Sequence, residues 1–389
     1  MSYTREELMQ EKALRMQKLD AMMAEQNLDA LLLSCVGLMA NKFSVKYAAN
    51  LNVGTRRISL LKPRGEEPYL FNPKGVPDKE SFARRSWVNF DNQIFADMIP
   101  GVVEKIEALP QEKPVIGVDQ LQDLPFCFYD ALRGTKATFV DVTDAFTKVR
   151  AGKSQFEIDR TKEVCELGIA SFEDLVLRMK PGMTERQLLG GAVGFLSEHG
   201  ASELGLILGA SKKRFANIRP ASDDVLTEED IFTYSAEFLG PSGYWMQIIR
   251  PVFMKRGIHP DALECLKAAK EAERVAMHVA RPGNKIKDIH YAVVEAIEKY
   301  GMKMTYWAGH GMGCDLGDGI DILPNNEMEI VPNMILVIQP SVDSATNSIL
   351  YGNTILTRED GDAINLTDVY MDSPYYEDLY AEVSKKYGK

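Results

Sequence analysis

Apolar residues recur at helical spacing through the start of the chain, at Leu8, Met9, Leu14, Met16, Leu19, Met22 and Met23, and then give way to the run LDALLLSC. The first pattern predicts a helix and the second a short buried strand. RRISLLKPRGEEPYLF reads as two strands around a Pro/Gly turn, KPVIGVD as a further strand, and LPFCFYDALRG as a helix that stops at Gly134. Residues 1–152 are therefore expected to form one α/β domain.

Beyond VRAGKSQFEIDRTKEV the helices lengthen and a repeat emerges. LRMKPGMTERQLLGGAVGFLSEHG and HVARPGNKIKDIHYAVVEAIEKYG each read as a helix, a Pro-Gly break and a second helix closed by glycine. Pro181 and Pro282 lie 101 residues apart, and each is followed 19 residues later by the closing glycine, Gly200 or Gly301. The same offset sets LILGAS against YWAGHG, so that Gly209 corresponds to His310. Residues 153–389 thus read as a duplicated αα+β unit, whose two lobes would pack their sheets around a cleft. Two units of this length are too few and too long for a solenoid.

Composition narrows the functional classes. The 389 residues suggest two domains. No run of eighteen apolar residues is present, and the charged N-terminus lacks the apolar core of a secretory signal, so a cytoplasmic protein is expected with no membrane partner. A net charge of −11 without a clustered Lys/Arg stripe argues against nucleic acid as a partner. The five cysteines form no CxxC pair, which fits reduced thiols; Cys314, four positions after His310, is the one near candidate chemistry. The glycines of GHGMG are not set in a strand-turn-helix dinucleotide fingerprint, and no G-x-S-x-G elbow occurs.

The linker VRAGKSQFEIDRTKEV, then KPGMTE, GYWMQIIR, RPGNKIKDI, AGHGMG, VPNMILVIQP and GNTILTREDG, in this order, resemble the creatinase/aminopeptidase P/methionine aminopeptidase superfamily. The resemblance covers roughly residues 150–365 and implies a pita-bread C-terminal domain with an internal pseudo-twofold repeat. It also implies an N-terminal α/β domain of the ribonuclease H-like kind, with KYAANLNVGTRR at a segment where that branch often has tyrosine. The overall class is α/β (α+β).

In the metallopeptidases of this superfamily two Asp, one His and two Glu hold two divalent ions, because such hard cations need several anionic oxygens. Carried onto this chain by motif, the two Asp positions fall at about Ala236, with Glu237 beside it, and at Gln247; the His falls at His310; the two Glu positions fall at Gln339 and Gly352. One of the five ligands remains. A site without metal and without cofactor is expected. Glu237 would turn into the cleft if the segment EFLGPSGY shifted the strand register by one residue.

Among individual residues, His310 suits proton transfer near neutrality, or alternatively holds its loop by hydrogen bonding. Gln247 and Gln339 carry amides able to hold a substrate carbonyl, or pack quietly after ligand loss. Tyr244 and Trp307 would wall a pocket, Arg214, Arg219 and Arg250 are candidates to bind a substrate carboxylate, and Asp315 lines the cleft or belongs to a plain polar loop. His199, His259, His278 and His290 read as structural or exposed.

Three functions follow as expectations. The first is a metal-independent, creatinase-like hydrolase of a C–N bond in a small, carboxylate-bearing molecule. Creatine itself fits poorly, because RFANIRPASDD has no histidine and Ile249 and Gln339 stand where creatinase is expected to keep glutamates. The others are a metal-free lyase or decarboxylase on the same fold, and a non-catalytic peptide-binding module. By resemblance the chain is a homodimer whose N-terminal domain, through Arg56 or Arg57, reaches the partner's cleft.

Overall fold

The computed structural model describes residues 3–35, 42–51, 57–202, 208–212, 219–370 and 372–388. The chain divides into two compact units, Ser2–Arg150 and Ala151–Lys389.

The first unit is built on a six-stranded mixed sheet. Its strand order is Gln93–Ala96, Tyr69–Pro73, Ile58–Pro63, Ala30–Cys35, Val115–Val118 and Thr138–Asp141. The central Ala30–Cys35 pairs antiparallel with Ile58–Pro63 and parallel with Val115–Val118. Both of the first two are buried along their whole length, as continuous apolar runs require. The opening helix, Arg5–Glu25, starts with a capping box between Thr4 and Glu7. Its buried side differs from the apolar stripe read in the sequence: Met9 and Leu14 are exposed, while Glu11, Lys12 and Arg15 are buried beside Leu19, Met22 and Met23. The cause is Arg15, which bonds Glu11 and lies 4.5 Å from the Tyr47 ring centroid and 5.2 Å from that of Trp87. Arg57 is exposed, and Arg56 lies outside the described residues.

The second unit holds the repeat. Helices Gln155–Arg178 and Glu185–Glu198 precede the three-stranded sheet of Leu208–Lys212, Ile231–Leu239 and Trp245–Phe253. Helices Pro260–Val279 and Ile286–Glu298 then precede Gly309–Gly311, Ile335–Ile338, Asn353–Leu356 and Ile364–Asn365, which form a four-stranded sheet in that order. The Pro-Gly breaks have the same geometry, with Gly182 and Gly283 both at φ +92°, a conformation glycine adopts without strain. The closing glycines match as well, at φ +85° for Gly200 and +71° for Gly301. A backbone bridge between Ile249 and Gly352 joins the sheets of the two lobes. The core of the second lobe sets Ala262, Ala268, Ala269, Ala272 and Ala276 of one helix against strand residues such as Leu336 and Ile338, so that helix and sheet approach closely. Among the described residues no helix is long and apolar enough to cross a membrane.

Candidate active site

The site begins with a hairpin register. Ile231–Leu239 and Trp245–Phe253 pair antiparallel so that Glu237 stands opposite Gln247 and Ala236 opposite Ile248. Directly opposed residues share a face, so Glu237 and Gln247 point to the same side and Ala236 to the other. The motif count that put the ligand position at about Ala236 is therefore one residue out. Glu237 turns inward because the connecting turn closes with Gly240 donating to Tyr244 O and Gly243 to Gly240 O, which fixes the register.

His310 reaches this face from the second lobe. It stands opposite Val337, which stands opposite Thr354, whose Oγ1 donates to Gln247 O at 2.8 Å and accepts from Gln247 N at 3.0 Å. Gly309 allows the approach: its φ is +150°, and a Cβ there would lie 1.9 Å from Val337 O. The imidazole Nε2 then sits 3.2 Å from Gln247 Oε1 and 3.4 Å from Glu237 Oε1, while Nδ1 lies 2.8 Å from Gly311 O. A carbonyl only accepts, so Nδ1 carries the proton and Nε2 of the neutral ring presents its lone pair to Glu237 and Gln247. Gln247 presents Oε1 to Nε2; a half-turn of its amide, which exchanges oxygen and nitrogen, would give that lone pair an N–H donor.

Burial sets the charges. Glu237 is 3% exposed and its Oε1 has no hydrogen-bond partner, which pushes its carboxyl up to about 8. His310 is 4% exposed, and burial holds it below its ordinary value against the opposing pull of the Gly311 hydrogen bond and the Asp321 charge. At neutral pH the carboxyl holds a proton and the imidazole lacks one. The pair is thus an acid and a base side by side, both uncharged.

Gln339, buried, continues the same face. Its N–H donates to Ala308 O, two residues beyond the His310–Val337 pairing, so strand alternation puts its side chain on the His310 side. Trp307 lies with its ring centroid 5.3 Å from that of His310 and 30° from parallel, and its buried indole N–H has no partner among the described residues. At Gly352 a Cβ would meet Gln339 Cβ and Ile338 O at 3.1 Å and Ile249 Cδ1 at 3.2 Å, so a side chain there would press on Gln339.

This donor set does not fit a pair of divalent cations. It offers one carboxyl, one imidazole and two amides, where two hard cations need several anionic oxygens. Among the described residues no group of three or more His, Cys, Asp or Glu is placed to hold a metal ion.

Several candidates lie elsewhere. Arg250 is on the opposite face of the strand from Gln247, where its guanidinium donates to Ile249 O, Gly352 O, Asn353 Oδ1 and Thr367 O. Arg219 grips Glu185 with both terminal nitrogens, at 2.6 and 3.0 Å, and also bonds Asp224. Neither guanidinium is placed to anchor a substrate, because protein carbonyls and carboxylates take it up; Arg214 lies outside the described residues. Tyr244 is buried at the hairpin end, and half-buried Asp315 accepts Gly313 N–H through its backbone carbonyl. Of the other histidines, His199 caps a helix, His259 bonds Glu229 O and His278 pairs with Asp362.

One contributor was missed in the sequence. Lys153, 1% exposed at the side chain, pairs with equally buried Asp318 and so ties the loop after His310 to the start of the unit. The partners are 165 residues apart, and the only local trace is a lysine in an otherwise unremarkable AGKSQ turn.

The model of metallopeptidase family M24 matches residues 159–368. An uncharacterized peptidase of Staphylococcus saprophyticus is 26% identical over 212 residues, which is 53% of this chain and 59% of that relative. The chain thus spans less than two thirds of that relative's length. Among solved structures, the Xaa-Pro dipeptidase from Bacillus anthracis superposes with a TM-score of 0.80 at 19% identity, covering 94% of this chain and 99% of the other. The prolidase from Pyrococcus horikoshii gives 0.78 at 19% identity, covering 92% and 99%. At such identity the likeness is one of fold, and the pita-bread unit with its N-terminal domain is that fold.

Proposed function

The chain belongs to metallopeptidase family M24, and from that premise we propose that it is a hydrolase of a C–N bond in a small amide or short peptide, in which Glu237 and His310 do without metal the work done elsewhere by metal-activated water. The observation that carries this reading is the buried Glu237 carboxyl, without a hydrogen bond at Oε1, set 3.4 Å from the Nε2 of a neutral imidazole. An acid and a base side by side, each displaced from its ordinary pKa, are what amide hydrolysis needs.

His310 Nε2 takes a proton from water as the water oxygen bonds to the carbonyl carbon. Gln339 and the Trp307 indole N–H supply donors for the oxygen that gains charge. Glu237 gives its proton to the nitrogen, the C–N bond breaks, and the amine leaves beside the new carboxylic acid. The imidazolium then returns its proton to the Glu237 carboxylate, which restores both groups. Since Arg219 and Arg250 are engaged elsewhere, the carboxylate anchor expected of them is not part of the proposal.

Hydrolysis of a panel of small amides and dipeptides, followed with and without chelator, tests the reading. Activity should persist after chelation, kcat/KM should fall as pH rises through about 8 and again in acid below the ordinary histidine value, and Glu237→Gln should lower kcat by about 10²–10⁴-fold. Activity that appears only with added manganese or cobalt and survives Glu237→Gln would sink it.

A further inference from the structure

Four glycines in nine residues, Gly311, Gly313, Gly317 and Gly319, give the segment after His310 a backbone with little stiffness of its own. Yet two of its carbonyls set the site. Gly311 O accepts from His310 Nδ1 at 2.8 Å and so decides which ring nitrogen is bare. Gly313 O accepts the Trp245 N–H at 2.8 Å, at the start of the strand that carries Gln247 opposite Glu237.

What stiffens the segment lies inside it. Lys153 Nζ, which also donates to Ala151 O at 3.1 Å, pairs with Asp318, and both side chains are buried. The pair packs on the two glycines. A Cβ at Gly313 would lie 3.0 Å from Lys153 Cε and 3.1 Å from Asp318 Oδ2, and one at Gly311 would lie 3.4 Å from Asp318 Cβ. Asp318 itself sits at φ +50°, a left-handed conformation that a residue other than glycine enters at a cost and that its surroundings must hold. The Lys153 N–H is fixed in turn on Asn333 O at 2.9 Å, just before the strand Ile335–Ile338 that pairs with the His310 strand. A buried ion pair adds little net stability, because desolvating both charges offsets most of their attraction. What this one supplies is direction, since each charge has a single favourable place and the glycine backbone is pressed between them.

We propose that Lys153 and Asp318 are positioning residues for the Glu237–His310 pair, holding Gly311 and Gly313 so that the His310 proton stays on Nδ1 and Nε2 stays bare toward Glu237. Their effect on catalysis rests on the hydrolase reading; their effect on the imidazole does not.

Nitrogen NMR of the full chain carrying isotope-labelled histidine reads the tautomer without substrate, with His310 assigned by the signals lost in His310→Gln. The wild-type ring should show a protonated Nδ1 and a bare Nε2. Lys153→Met combined with Asp318→Asn removes both charges together, so no orphan charge threatens the fold, and asparagine enters the left-handed conformation as readily as aspartate. That double variant should nearly keep the wild-type Tm and show His310 divided between the two tautomers. On an amide that the wild type hydrolyses it should lose about 10²-fold in kcat with little change in KM. A wild-type ring protonated on Nε2, or a double variant that keeps the wild-type tautomer and kcat, would overturn the proposal. A tautomer that responds to the double variant in a protein that hydrolyses no amide would end the hydrolase reading and keep the positioning. Hydrolysis lost in Glu237→Gln but unmoved in the double variant would do the reverse.

Discussion

Glu185 and Glu237 are 0% and 3% exposed in the same lobe, yet their surroundings differ in every donor. Glu185 opens the helix Glu185–Glu198 and accepts from both terminal nitrogens of Arg219 and from the Ser222 N–H and hydroxyl, at 2.6 to 3.0 Å. Glu237 has a neutral histidine at 3.4 Å and no hydrogen bond at Oε1. A carboxylate given a full set of donors keeps its charge and clasps two segments together. One denied them gives up its charge by holding a proton, and so becomes able to donate it. Burial alone does not distinguish structure from chemistry; the count of satisfied lone pairs does.

The sharpest way to break this contrast is to remove the clasp. Arg219→Ala leaves Glu185 buried without its main counter-charge and should lower unfolding free energy by about 3 kcal/mol, seen as a drop in the urea midpoint at unchanged m-value. Adding Glu185→Ala to it should recover part of the loss, since no orphan charge remains. A loss under about 1 kcal/mol for Arg219→Ala would show that Glu185 is no better compensated than Glu237.

The same lobe shows what a sequence can and cannot reveal. The repeat was legible because its signals are local: Pro181-Gly182 and Pro282-Gly283 turns, helix-closing Gly200 and Gly301, and the strand that follows each. The order of motifs singled out Gln247, His310 and Gln339, whose side chains share one face. The choice between Ala236 and Glu237 was not, since it turns on a single residue of register fixed by hydrogen bonds across Gly240–Tyr244. The arginines were misread for a related reason. Arg219 meets Glu185 across 34 residues and Arg250 meets Thr367 across 117, and no local pattern announces which distant oxygens will claim a guanidinium. The opening helix misled in the opposite direction, with Met9 and Leu14 left outside by a buried Arg15.

A second test uses the proton that Glu237 holds. Its folded pKa, about 8, lies above the ordinary 4.5, so its contribution to stability is complete below about 4.5 and is lost as pH rises through about 8. His310 works the other way: its folded value is depressed, and its contribution is present above 6.5 and lost as pH falls through the folded value. Between pH 6.5 and 8 only the Glu237 loss operates of the two, and it should amount to about 2 kcal/mol. Glu237→Gln should remove that share of the slope and leave the smaller part due to Glu273, whose carboxyl is raised to about 7. Chemical denaturation across this range measures it, and identical slopes in wild type and Glu237→Gln would mean that Glu237 is ionised throughout the range.

The smallest effect tests whether the position of Gly352 has room for any side chain beside Gln339. Gly352 stands where the superfamily's second glutamate is expected, and its backbone bridges Ile249 across the junction of the two lobes. A Cβ at this position meets Gln339 Cβ, Ile338 O and Ile249 Cδ1 at 3.1 to 3.2 Å, a few tenths of an ångström too close on three sides. Two of these atoms belong to side chains and can give; Ile338 O belongs to the strand paired with the His310 strand and resists. Gly352→Ala should therefore cost about 1 kcal/mol in stability and, by displacing Gln339, lower kcat several-fold with little change in KM. The methyl group adds no charge, so any loss of activity comes from packing, which separates the role of Gln339 as a placed donor from that of a passive filler. If Gly352→Ala is silent in both measurements, Gln339 tolerates displacement and the oxygen that gains charge is held by Trp307 without it.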